Sequence, residues 1–136
     1  MDKTQIDLAL YRLESAEERL KAAKVMISVG SYKDAVNRTY YAIFNAMRSI
    51  LALDGVGFKR YSGVISYFRR EYIKTGLFPA NCSRIIKDSF EIRGQSDYDD
   101  FFLVSNEDAE IQYENAADFY QLVKVYVIER TQGEES

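Results

Sequence analysis

At 136 residues, 47% hydrophobic and 14% aromatic, the chain has the length of one domain and an apolar content that excludes a disordered, collagenous or low-complexity protein. A single cysteine, Cys82, excludes an internal disulfide framework and a cysteine metal cluster. The absence of His removes Ser-His-Asp triads, His-ligated zinc and a His general base, and a net charge of −3 supplies no global field for nucleic acid, though local basic patches stay open.

No apolar stretch approaches the roughly 20 residues of a membrane span. The segment Met1-Asp2-Lys3-Thr4-Gln5 opens an amphipathic stretch rather than the apolar region of a signal peptide, and a cytoplasmic location is expected.

In chain order, apolar side chains recur at Ile6, Leu10, Leu13, Ala16, Leu20, Ala23 and Ile27, steps of three and four that predict a first helix over residues 3–28, with Gly30 as its stop. Ser31 is the expected N-cap of a second helix reaching about Leu53, with Asp34 near its positive end. That helix carries an apolar stripe through Val36, Tyr40, Ile43, Met47 and Ile50. Beside it runs a mixed stripe of Asn37, Tyr41, Phe44, Asn45 and Arg48. A shorter helix is predicted over residues 62–75, with Val64, Ile65, Phe68, Tyr72 and Ile73 inward. A fourth runs from Asn81 or Cys82 to about Gln95, with Ile85, Ile86, Phe90 and Ile92 as apolar positions and Gly94 weakening its last turn. The acidic, aromatic segment 96–102 reads as a loop. Ser105 and Asp108 resemble a capping box opening a fifth helix to about Arg130, and residues 131–136 read as a frayed tail. The fold expected is all-α: a single antiparallel bundle of four to five helices over residues 1–130.

Periodicity assigns no function, so chemistry has to come from clusters. Arg93, Ser96, Asp97 and Tyr98 close the fourth helix. The guanidinium offers five donors suited to phosphate, and Tyr98 can stack on a base. An Arg93–Asp97 contact at i,i+4 that merely closes the helix end accounts for the same residues. Asn37, Tyr41, Asn45 and Arg48 form a polar seam that either locks a register or lines a site. Lys59-Arg60-Tyr61-Ser62 with Arg69-Arg70 and Lys74 interleaves basic and aromatic residues as a phosphate-tracking surface does, or as a solvated face does. Asp99-Asp100 lacks a third ligand for a cation, and no metal or cofactor is expected. Cys82 has no activating neighbour in sequence.

The stretch Ala16-Glu17-Glu18-Arg19-Leu20-Lys21-Ala22-Ala23, followed by Gly30-Ser31-Tyr32-Lys33-Asp34-Ala35-Val36-Asn37-Arg38-Thr39-Tyr40-Tyr41-Ala42-Ile43-Phe44, resembles the HEPN (higher eukaryotes and prokaryotes nucleotide-binding) family, in its small prokaryotic branch. Ser62-Gly63-Val64-Ile65 and the run from Arg93 to Tyr98 fit the same branch, and the likeness extends from about Leu8 to Tyr126. The resemblance implies a helical bundle paired as a homodimer. It implies either a metal-independent ribonuclease of toxin–antitoxin or defence systems, or a partner of a small nucleotidyltransferase. Active members place an Arg a few residues before a His near the end of a late helix, supported by a polar residue on the second helix. By position Arg93 matches that Arg and Asn37 the polar residue. Asp97 and Tyr98 stand where the His would fall, while Asn45 and Tyr61 stand where related members often carry another.

A carboxylate suits the task of general base only where burial raises it. Binding without efficient cleavage is therefore the expectation, with Arg93, Tyr98, Asn37, Tyr41, Asn45 and Arg48 facing a nucleotide or RNA phosphate. An atypical nuclease centred on Arg93, Asp97 and Tyr98 is the alternative, and a ligand-free structural dimer module is another. Tyr98 is the expected site of nucleotidylation by a partner transferase.

Overall fold

The computed structural model describes residues 1–135. Asp2 accepts a hydrogen bond from the Gln5 amide (2.8 Å) while Gln5 reaches back to the Asp2 amide, a reciprocal cap that starts α1 (Lys3–Ser28). Gly30, at φ 78°, takes the left-handed conformation a side chain would resist and turns the chain back into α2 (Tyr32–Leu53). Ser31 stands at the N-cap position, but its hydroxyl donates to the Asp34 carboxylate (2.7 Å) instead of accepting from the backbone.

The third helical region departs from the expected single helix. It comprises α3 (Tyr61–Phe68), followed without a break by a π-turn (Arg69–Ile73) in which the Lys74 amide bonds to the Arg69 carbonyl. The extra residue in that turn rotates the register. Val64, Phe68 and Tyr72 are buried as expected, whereas Ile65 and Ile73 are only half-buried.

α4 spans Asn81–Tyr98, so residues 96–98, expected in a loop, are helical. Gly94 does not end the helix because Ser96 is buried and Arg93 pairs with Asp97 across it. The loop itself is a tight turn, with Asp99 accepting from the amides of Phe101 and Phe102. Phe90, expected as an apolar packing position, has a 45% exposed ring. α5 runs Asn106–Glu135, capped by Ser105, whose hydroxyl accepts from the Asp108 amide. The helix continues past the expected end at Arg130, and Thr131 is buried and bonded to the Val127 carbonyl. Ser136, in the segment expected to fray, lies outside the described residues.

The chain is thus an all-α bundle, with no strand among the described residues. α1 and α2 pack most extensively, α5 lies across both, and α3 and α4 close the other side of α2. The core joins Leu13, Ile43, Met47, Ile50, Phe68, Phe119 and Val123, and a smaller cluster of Ala35, Val36, Val104 and Ala109 fills the end near the first turn.

A candidate phosphate site at a caged arginine

α2 and α4 face each other, and the meeting point is aromatic. Tyr40 and Tyr41 come from α2, Tyr61 opens α3, and Arg93 reaches between them from the penultimate turn of α4. The guanidinium carbon lies 5.0 Å from the Tyr40 ring centre, 5.7 Å from Tyr41 and 5.9 Å from Tyr61. Each such contact contributes on the order of 0.5–2 kcal/mol, the more so where water is excluded. An Nη of Arg93 donates to the Tyr41 hydroxyl (3.3 Å), which also accepts from Tyr61 (3.3 Å). The side chain is 17% exposed.

Asp97 completes the cluster. Its carboxylate lies 2.9 Å from Arg93 Nε, an ion pair by distance whose direction is not that of an N–H hydrogen bond. Asp97 is 34% exposed, so the pair is worth no more than about 1 kcal/mol. Burial opposes the charge on Arg93, but Tyr41, Asp97, Tyr40 and Tyr61 together outweigh it and hold the guanidinium above its ordinary value. Burial pushes the phenols of Tyr40 and Tyr61 upward, and each is raised further by a neighbouring tyrosine. Both therefore remain protonated donors at neutral pH. The Tyr40 hydroxyl is buried with no hydrogen-bond partner among the described residues.

The residues anticipated from sequence separate into two groups. Arg93, Asp97 and Tyr41 come together. Asn45 instead donates to the Tyr41 carbonyl on its own helix (2.9 Å), and Arg48 lies over Phe44 (5.6 Å) while its carbonyl accepts from Arg12. Asn37 is half-buried on α2 and its side chain makes no hydrogen bond with a described residue, and Tyr98 projects from the end of α4, 83% exposed. Tyr40 was not anticipated. It reads as an ordinary member of the apolar stripe, and only its place beside Tyr41 hints that it also reaches the mixed face. Among the described residues no three His, Cys, Asp or Glu side chains converge as metal ligands.

A second polar cluster, unmarked in sequence, joins the far ends of α2 and α5. Asp54 pairs with Arg130 (2.7 Å) and accepts from the Tyr67 and Tyr72 hydroxyls. Arg130 also donates to Tyr72, Tyr126 and the Leu53 carbonyl. Both Arg130 Nη atoms and the Tyr67 and Tyr72 hydroxyls are matched within the cluster, the pattern of a structural clasp.

The HEPN domain family matches residues 9–126, a span that takes in the whole caged-arginine cluster. The chain belongs to the HEPN family. It is 37% identical over 86 residues to a Methanocaldococcus jannaschii protein named "Putative toxin", covering 63% of this chain and 64%, just under two thirds, of that relative. A second protein of that organism with the same designation is 29% identical over 118 residues, covering 87% of this chain and 80% of the relative. A UPF0332 protein of Thermotoga maritima is 35% identical over 88 residues, covering 65% and 67%. No helix among the described residues of this HEPN chain is long and apolar enough to cross a membrane.

Proposed function

We propose that this HEPN chain is a toxin-type module of a toxin–antitoxin or defence system that holds an RNA or nucleotide phosphate on Arg93, acting as a cytoplasmic homodimer without efficient cleavage. The observation that carries the reading is the cage itself. Three rings surround the guanidinium, one Nη donates to the Tyr41 hydroxyl, and the remaining partner is the weak ion pair to the partly exposed Asp97. A charge-assisted bond to phosphate is worth about 1.5–3 kcal/mol, more than the Asp97 pair it would displace. The names of the relatives support the toxin setting.

Among the described residues, the cage presents no free general base to a 2′-hydroxyl. Tyr61 and Tyr40 are held protonated, and Asp97 is engaged with Arg93 rather than presented to a 2′-hydroxyl. Incubating the protein with labelled RNA in EDTA tests both halves of the reading. Salt-sensitive binding lost in Arg93→Ala, with the RNA intact, is the expected result. Cleavage that disappears in Arg93→Ala and in Asp97→Asn would establish the nuclease instead.

The 83% exposure of Tyr98, beside the cage but outside it, favours a second element: engagement by a small nucleotidyltransferase that modifies this hydroxyl. Intact mass after coexpression should rise by one or more nucleotidyl groups in the wild type and not in Tyr98→Phe.

A further inference from the structure

A groove of about 750 Å³ opens between α3 and α4, immediately beside the cage, and within the usual range of ligand sites, roughly 300–1,000 Å³. Its rim is basic: Lys59, Arg60, Arg69 and Lys87 stand against one carboxylate, Glu91, on a chain whose net charge is −3. The cations are largely uncommitted. Lys59 and Arg60 make no side-chain ion pair or hydrogen bond with a described residue, and Lys87 meets Glu91 only at 3.9 Å with both side chains more than half exposed. Arg69 donates one Nη to the Ser83 carbonyl (3.2 Å), while its Nε is buried without a partner. A buried donor left unmatched is costly, and a shift of the Arg69 side chain toward an anionic acceptor in the groove would relieve it.

The floor is aromatic and continuous with the cage. Tyr61 belongs to both, and the Phe90 ring, 45% exposed, lies 6.1 Å from Tyr40, the ring directly beneath Arg93. Gly63, two residues after Tyr61, packs so closely on Phe58 that a Cβ there would come within 2.8 Å of its side chain. Arg70 and Lys74, grouped with these cations by sequence, lie outside the groove lining. Arg70 pairs with Glu71 instead and lies over the Tyr67 ring. An exposed ring among uncommitted cations fits an unpaired base with its flanking phosphate.

We propose that this groove is a second nucleotide subsite, so that the chain takes a single-stranded oligonucleotide and not a lone nucleotide. One phosphate sits on Arg93, the adjoining base lies on Phe90, and the next phosphate meets Arg60 and Arg69. The assignment rests on the reading of Arg93 as a phosphate ligand.

Fluorescence anisotropy with labelled twelve-nucleotide single strands of RNA and DNA, and the matching duplexes, tests it. Phe90 and Arg60 are exposed, so their substitution should leave the helical circular-dichroism signal unchanged. Phe90→Ala is expected to weaken single-strand binding about tenfold, within the range of aromatic–base stacking. Arg60→Ala should reduce the slope of log affinity against log salt by about 0.7. A preference for RNA or for DNA identifies the source of the strand. If Arg93→Ala weakens binding but Phe90→Ala and Arg60→Ala do not, the subsite is overturned and the Arg93 reading stands. Tighter binding of the duplexes overturns the stacking role of Phe90, and no binding of any strand by the wild type overturns both.

Discussion

Asp97 and Arg93 share one turn of α4, and their pairing is the first contact any anionic ligand has to replace. Asp97→Asn keeps the length of the side chain and removes the competing charge. Since a pair with one partly exposed member is worth up to about 1 kcal/mol, phosphate or RNA should bind up to about fivefold more tightly to the variant, as isothermal titration would show. Weaker binding would mean that Asp97 positions Arg93 rather than competing for it. The pair itself was legible, because i,i+4 spacing on a helix makes the contact local. The rings around it were not. The Arg93–Tyr41 contact joins residues 52 apart, and local periodicity carries no information about which helices meet.

At the scale of elements, helix existence and most core faces could be read from three- and four-residue spacing, while the continuation of α4 to Tyr98 and two further features could not. The π-turn at Arg69–Ile73 leaves no trace in an apolar pattern that an ordinary helix accommodates nearly as well. The continuation of α5 past Arg130 depends on tertiary contacts: Arg130 is held by Asp54, Tyr72 and Tyr126, and these fix the turn that buries Thr131. Arg130→Met should therefore cost about 1–3 kcal/mol in chemical denaturation, because it leaves a mostly buried carboxylate without its cation. Lys21→Ala, which removes the exposed Glu17–Lys21 pair, should cost no more than about 0.5 kcal/mol. Equal losses in the two variants would contradict the clasp.

Across the whole molecule, 11 tyrosines and no His shape the response to pH. Tyr67 is pushed up to about 12, first by burial and then by its bond to Asp54. Tyr40, Tyr72 and Tyr120 are raised as well, burial being the largest cause in each. A phenol raised in the folded state stabilises it fully below the unfolded value near 10, and that contribution disappears as pH climbs through the folded value. Denaturation midpoints should lose nothing to these groups up to about pH 10 and fall between about 10 and 12. Ultraviolet titration should show a subset of tyrosines ionising only as the bundle opens. A midpoint unaffected by that alkaline window would show that these hydroxyls are not held by the fold.

The cage around Arg93 is made of an arginine and tyrosines, groups that ordinarily ionise far above neutrality, and burial drives two of those phenols further away. Nothing in it behaves as a proton sensor between about pH 6 and 8, the interval in which histidine would. A pH change within that interval would leave its grip unaltered. Under the function proposed above, a covalent mark or a docked protein would meet the exposed end of α4 first.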